Sequence, residues 1–407
     1  MTNQSLVDYK TVIVRAPVRI LHVTPYSADA WAYGGIPRLA HSLTRGLARR
    51  GHQVTVCTTD ACDESTRVPS GERQVDGVEW RVFPNLSNRL AYHLQLFLPL
   101  GLGNYLKRHA GTFDVAHLHA CRNVPGALAA HHLRRTGVPY VLAPNGTAPR
   151  IERRRLAKHA FDVVAGRRIL AGAARVLAVS EAERRQLSEL GVARGAIRVI
   201  PNPVDLDELA SPVTPGTFRR RLALPCGPLV LFLGKLTPRK RLDVLTLGFA
   251  RVRRSDASLV IAGNDMGAGG EARSLVRALG LERRTFFTGL LRAEQRLEAL
   301  ADADVLVYPS QHEIFGLVPL ESLLSGTPVI VADDSGCGEV VRATGGGQVV
   351  PLGDADALAR AIESVLKDPT AWRAAAAAAA VRVRAAYGDS VVCSQIEALY
   401  GELVAGT

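Results

Sequence analysis

The chain has 407 residues, 47% of them apolar and 22% charged. That length exceeds one ordinary core and predicts two domains, and the composition excludes a disordered or fibrous chain in favour of an α/β protein. A net charge of +12 favours anionic partners such as nucleotides, lipid pyrophosphates or an acidic membrane face, while no nucleic-acid motif accompanies it.

In chain order, a loose arm over residues 1–17 offers no signal peptide, because Asp8 and Lys10 interrupt it. Arg19–Thr24 predicts a buried strand, followed by a loop ending in Gly34-Gly35, a helix from Pro37 to Arg50 and a strand over Gln53–Thr58. One such β-loop-α-β unit implies a parallel sheet. Further strands are expected at Val78–Phe83, Val115–Leu118, Tyr140–Ala143, Arg175–Val179 and Arg198–Pro201. The uncharged stretch Leu90–Leu106 holds His93, Gln95, Pro99 and three further breakers, and predicts a helix pair rather than a membrane span.

Asn202 to Pro225 is expected to connect the domains, with Pro203, Pro212, Pro215 and Gly216 inside it and few core positions. A second alternating series then begins, with strands at Leu229–Leu233, Ser258–Ala262, Thr285–Thr288, Asp304–Tyr308 and Pro328–Ala332. The alanine run Ala374–Ala380 favours helix and carries no chemistry. Six cysteines (57, 62, 121, 226, 337 and 393) without a CxxC pair predict reduced thiols in a cytosolic protein.

The chemistry concentrates in Glu313-Ile-Phe-Gly-Leu-Val-Pro-Leu-Glu321. On one helix these two acids would lie roughly 80° and about 12 Å apart, too far to share a small ligand. The spacing therefore predicts Glu313 in a loop and Glu321 on the helix that follows, where Pro319 suits the start and free N–H groups favour an anion or polyhydroxyl ligand. Gly234-Lys-Leu-Thr-Pro-Arg-Lys-Arg241 follows a predicted strand, and its small residues and cations suit a diphosphate, although a solvated basic turn has the same composition. Asp114-Val-Ala-His-Leu-His119, Pro144-Asn-Gly-Thr147, Ser180-Glu-Ala-Glu183 and Ile200-Pro-Asn-Pro-Val-Asp205 complete the set.

In this order the motifs resemble those of the retaining glycosyltransferases of family 4, the group 1 transferases of GT-B architecture, over nearly the whole chain after residue 18. The resemblance implies an α/β fold of two Rossmann-like domains facing across a cleft. Residues 1–205 would take the acceptor, residues 206–386 the nucleotide sugar, and residues 387–407 would form a helix packing back on the first domain. It implies that Glu313 contacts the donor sugar, that Glu321 binds the ribose, and that the Phe315, Gly316 and Leu317 backbone meets sugar and phosphate. Lys235 and Lys240, with Gly234, would hold the leaving diphosphate; the family more often has Arg at 235 and Gly at 241. Gly34 and Gly35 would approach the diphosphate from across the cleft, His119 would line the reacting face with His117 structural, and Asn145 and Gly146 would line the acceptor side. Relatives usually carry Gly where Pro203 stands, and Asn202 either touches the diphosphate or caps a turn.

Three Asp-x-Asp triplets (205/207, 302/304 and 354/356) suggest a metal, but the first and last sit in turn-rich segments that favour caps, the resemblance places Asp302 and Asp304 in the family's Ala-Asp-x-x-Val approach to the Glu-x7-Glu strand, and no metal or cofactor is expected. The expected partners are a nucleotide sugar donor and a glycan or polyprenyl-pyrophosphate-linked acceptor; the basic stretch 150–158 reads first as a solvated helix face, with docking to an anionic membrane, at the inner face of the cell membrane of a cytoplasmic protein, as the alternative. Two alternatives share these features: another GT-B enzyme, such as an epimerase or phosphorylase, and a non-catalytic basic binding protein.

Overall fold

The computed structural model describes residues 16–30, 33–149 and 159–406; the basic stretch 150–158 and residues 1–15 of the arm lie outside them. Among the described residues, fourteen strands form two sheets. The first holds β1 (Arg19–Val23), β2 (Gln53–Thr59), β3 (Gly71–Val75), β4 (Val78–Phe83), β5 (Val115–His119), β6 (Tyr140–Ala143), β7 (Arg175–Ala178) and β8 (Ile197–Val199). The second holds β9 (Leu229–Leu233), β10 (Ser258–Ala262), β11 (Thr285–Gly289), β12 (Val305–Tyr308), β13 (Val329–Asp333) and β14 (Gly347–Pro351). All pairings are parallel except β3 with β4. Helices cover the sheets, so strands such as Leu229-Val-Leu-Phe-Leu233 are buried along their whole length and need no polar alternation. These are two Rossmann-like domains of parallel sheet.

Strand order decides where ligands can go. The first sheet runs β3-β4-β2-β1-β5-β6-β7-β8 and the second β11-β10-β9-β12-β13-β14. Order therefore reverses between β1 and β5 in one sheet and between β9 and β12 in the other. In open parallel sheets the crevice beyond the strand C-termini at such a reversal is the binding position. The loops leaving β1, β9 and β12 carry Gly34-Gly35, Lys235 to Lys240 and Glu313, and β5 ends in His119. The sequence motifs thus converge on the two switch points.

Four expectations need correction. β3 (Gly-Glu-Arg-Gln-Val) was not anticipated, because it has almost no apolar residue; it exists as the exposed antiparallel edge of a hairpin turned by Asp76 (φ 52°) and Gly77 (φ 77°). β14, after Gly345 and Gly346, was also missed. The strand expected at Arg198–Pro201 runs over Ile197–Val199 instead. The interdomain connection is less open than its prolines suggest. It contains short helices at Leu206–Leu209 and Thr217–Arg221, and Val204 and Phe218 are fully buried.

The chain crosses between the sheets twice, and the crossings are bonded to each other: Val204 N–H donates to the Tyr387 carbonyl (2.8 Å) and Asp389 N–H to the Val204 carbonyl (3.2 Å). The alanine-rich helix Pro369–Tyr387 packs beside the second sheet, and the last helix, Asp389–Ala405, lies on the first. Its buried residues Val392, Cys393, Ile396, Leu399, Tyr400 and Leu403 recur at helical period and form one face. That face meets the helix Gly35–Arg49 so closely that a Cβ on Gly46 would sit 2.5 Å from Cys393 Sγ.

Candidate active site

On the second sheet, the loop after β9 turns through a 3₁₀ segment, Pro238–Lys240, and drives the Lys240 side chain inward, where it is buried. Its ammonium donates to Glu313 Oε2 at 2.5 Å and to the Tyr308 hydroxyl, and lies 4.3 Å from the Tyr308 ring centre. Tyr308 also donates to Glu313 Oε2 at 3.2 Å. Burial by itself would push the Glu313 carboxyl up, but the Lys240 charge and hydrogen bond outweigh it and hold the group below its usual range. Glu313 is therefore ionised, with a quarter of its side chain exposed. Its backbone is pinned from the loop after β13, since Ser335 Oγ (2.7 Å) and Cys337 N–H (2.9 Å) both donate to its carbonyl.

Glu313 lies in the loop and Glu321 on the helix Leu317–Leu324, the division that the spacing predicts. Gly316 caps that helix at φ 86°, and a Cβ there would meet Cys337 Sγ at 2.5 Å, so both conformation and space demand glycine. The Phe315 ring turns away from the loop to pack edge-on against Tyr387. Leu317 reaches across the cleft, with Cδ1 3.3 Å from the place of a Cβ on Gly35.

With the two domains together, Glu321 is shut off from solvent. It is almost fully buried, its Oε1 accepting from Arg38 at 2.6 Å and its Oε2 from Arg296. Both arginines also bind Glu208, at 2.8 Å each. Burial opposes the charge on Glu208, but the two guanidinium groups prevail and its carboxyl lies below the usual range.

Across the cleft, Gly34 (φ 95°) starts the helix Gly35–Arg49, and a Cβ on it would be 2.9 Å from Lys235 Cε. Lys235 Nζ donates to the Tyr33 carbonyl at 3.1 Å. The glycine pair and the cationic loop therefore touch. Gly146 (φ 76°) makes a second contact, packing on Ile314 beside Glu313, and its N–H donates to Glu183 at 2.6 Å. Glu183 also accepts from Val179 N–H at 2.9 Å; burial pushes its carboxyl up to about 7 despite these two amides.

His119 ends β5 within a stack of three buried imidazoles. Its Nε2 is 2.9 Å from His22 Nδ1, and His117 Nδ1 is 2.6 Å from the Tyr400 hydroxyl on the last helix. Burial lowers His119 to about 4, so the ring is neutral near pH 7. The three rings lie close enough to suggest a metal, but His117 and His119 stack 4.5 Å apart at 9°. His117 Nδ1 and His119 Nε2 are engaged by Tyr400 and His22, while His117 Nε2 and His119 Nδ1 have no hydrogen-bond partner among the described residues. A cavity of about 20 Å³, bordered by His117, His119, Asn145 and Asn202, has room for one water.

Residues 217–382 match the family model of glycosyl transferases group 1, and residues 33–208 that of glycosyltransferase family 4. A D-inositol 3-phosphate glycosyltransferase of Acidothermus cellulolyticus is 32% identical over 83% of this chain and 78% of its own. The chain belongs to the family 4, group 1 glycosyltransferases. A phosphatidyl-myo-inositol mannosyltransferase of Mycobacterium leprae is 31% identical over 94% of this chain and 96% of its own. Among solved structures, sucrose-phosphate synthase from Thermosynechococcus elongatus superposes with a TM-score of 0.75 at 24% identity, covering 95% of this chain and 99% of that one. Anabaena HepE gives 0.73 at 18% identity, covering 94% and 100%. The shared architecture is GT-B.

In this glycosyltransferase, the residues that the sequence reading names, Lys240, Glu313, Gly34 and Gly35 and, on the expected acceptor side, Gly146, lie around one cleft. That reading missed Tyr308, Glu183, His22, Arg38, Glu208 and Arg296. Only Glu183 had a local signal, as the third residue after the helix-capping Ser180, whose Oγ accepts its N–H at 3.2 Å.

Proposed function

We propose that this glycosyltransferase moves a sugar from a nucleotide diphosphate sugar to a hydroxyl of a glycan or lipid-linked acceptor, with retention and without a metal. The observation that carries the reading is the Lys240–Glu313 pair at the second switch point, opposite Gly34. A donor diphosphate needs cations and close backbone approach, which Lys240, Lys235 and the glycines at 34, 35 and 234 supply. A developing phosphate charge is best stabilised by such fixed, water-poor groups. The free N–H groups at the start of the helix Leu317–Leu324 add to them. Glu313 orients the sugar, Glu321 takes the ribose, and Asn145 and Gly146 line the acceptor side.

In the proposed step the acceptor oxygen bonds to the anomeric carbon as the bond to the leaving phosphate breaks on the same face. The acceptor proton passes to a phosphate oxygen. Neutral His119 lines that face as a hydrogen-bonding group.

Metal independence is supported by the use of the paired aspartates. Asp205 and Asp207 pair with Arg45 (2.7 Å) and Arg49 (2.5 Å), and Asp302 accepts the Gly216 N–H at 2.6 Å. Asp304 pairs with Arg219 at 2.7 Å, Asp354 caps a helix through the Ala357 N–H at 2.8 Å, and Asp356 meets Arg251 at 3.3 Å.

A nucleotide sugar donor is also supported by Anabaena HepE, whose structures hold UDP and UDP-glucose. The M. leprae relative acts by name on a phosphatidylinositol, and with the charge of +12 this supports an acceptor held at an anionic membrane face. Among the described residues no helix is long and apolar enough to cross a membrane. The test is release of nucleotide diphosphate from UDP-, GDP- and ADP-sugars by wild type and by Glu313→Ala. Loss of turnover in a folded variant supports the reading; unchanged turnover removes Glu313 from the site.

A further inference from the structure

Glu321 belongs to a closed ring of alternating charge. Arg38 donates to Glu321 Oε1 (2.6 Å) and Glu208 Oε2 (2.8 Å), while Arg296 donates to Glu208 Oε1 (2.8 Å) and Glu321 Oε2. The side chains of Arg38, Glu208, Arg296 and Glu321 are 18%, 22%, 6% and 2% exposed, so little water shares their charge. Two guanidinium groups and two carboxylates cancel. Glu208 stands on the link, and Arg296 and Glu321 on helices of the second domain. Arg38 alone comes from the first domain, on the opening turn of the helix Gly35–Arg49 that follows the glycine pair.

An ionised carboxylate offers about four acceptor positions. The arginines use one on each oxygen of Glu321, which leaves one on each, the number that a vicinal diol fills. From this geometry we infer that Arg38 is a positioning residue for donor recognition: on closure it fixes the Glu321 carboxylate from the opposite domain, leaving one acceptor position per oxygen for the ribose 2′- and 3′-hydroxyls. The inference rests on the reading of Glu321 as the ribose acceptor. Because Glu321 is nearly inaccessible when the domains are together, the nucleotide enters while they stand apart, and Arg38 arrives with closure. Withdrawing Arg38 leaves an uncompensated negative charge among three poorly solvated groups, which closure then neutralises. Ribose recognition and closure become one event.

Calorimetric titration of the full chain with UDP, GDP and ADP, each beside its 2′-deoxy form, tests this. The wild type is expected to bind the ribo form of its nucleotide at least about tenfold more tightly, the scale of a hydrogen bond to a charged acceptor. Glu321→Gln should erase that preference, and Arg38→Gln should reduce it to about threefold or less. In Arg38→Gln/Glu208→Gln the ring is neutral again, so the melting temperature should recover while the preference stays lost, which separates positioning from folding. Full preference in Arg38→Gln or in the double variant overturns the inference and leaves the ribose reading standing. A wild type without preference, or a Glu321→Gln variant that keeps it, overturns the ribose reading itself.

Discussion

Glu313 and Glu321 stand eight positions apart in one motif, yet they occupy opposite electrostatic settings. Glu313 is a quarter exposed and pairs with one lysine of its own domain. Glu321 is 1% exposed and is held by two arginines, one of them from the other domain. A carboxylate with one ion-pair partner and part of its surface open to solvent can exchange that partner for a substrate. One held in a ring between domains, as proposed for Glu321, engages its ligand only in step with the meeting of the domains. The first setting suits chemistry and the second suits coupling, and mutations should separate the two.

The largest effect is expected in turnover. Glu313→Ala and Lys240→Ala should each lower kcat by about a hundredfold to a thousandfold, the range for groups that stabilise developing charge. Glu313→Ala should cost less stability than Glu321→Ala, since it leaves one lysine, still bonded to the Tyr308 hydroxyl, without its carboxylate. Glu321→Ala should reverse the pattern. It leaves two arginines without their shared partner, and denaturant titration should show a loss of roughly 3–5 kcal/mol. Equal stability losses in the two alanine variants would remove the distinction.

A third contrast lies in pH. Burial holds the Glu183 carboxyl at about 7 in the folded chain against 4.5 for the free group, so folding takes up a proton between those values. Its contribution is complete below about pH 4.5 and falls as pH rises toward 7, by at most roughly 3 kcal/mol. Glu183→Gln should flatten that part of the stability profile, and a slope that survives would assign it to other groups. The smallest effect is expected at Gly46→Ala, where a Cβ 2.5 Å from Cys393 Sγ should cost about 1–3 kcal/mol by crowding. Thermal melts should show it with ligand affinity unchanged, because the contact lies beneath the last helix.

How much of this the sequence discloses depends on the distance over which each feature is encoded. Buried parallel strands are local: Leu229–Leu233 and Ser258–Ala262 are legible because both faces are covered and every residue can be apolar. β3 is illegible for the converse reason, being a polar edge strand specified by its turn. Lys240 and Glu313 could be placed because each follows a strand at a switch point, where any parallel sheet opens toward ligand. The ring around Glu321 could not, because Arg38 lies 283 positions from Glu321 and 170 from Glu208. No periodicity links them; the fold brings them together. The same holds for His22, which reaches His119 only through the pairing of β1 with β5.

A nucleotide sugar donor bound at Lys240 and Glu313 is tested most directly by thermal denaturation with UDP, GDP, ADP and their sugars. At a ligand concentration one hundred times Kd, binding to the folded state alone adds about 2.7 kcal/mol. One nucleotide family should therefore raise the melting temperature by several degrees in the wild type and by clearly less in Lys240→Ala. A melting temperature that none of these ligands moves, at millimolar concentration, would contradict the account.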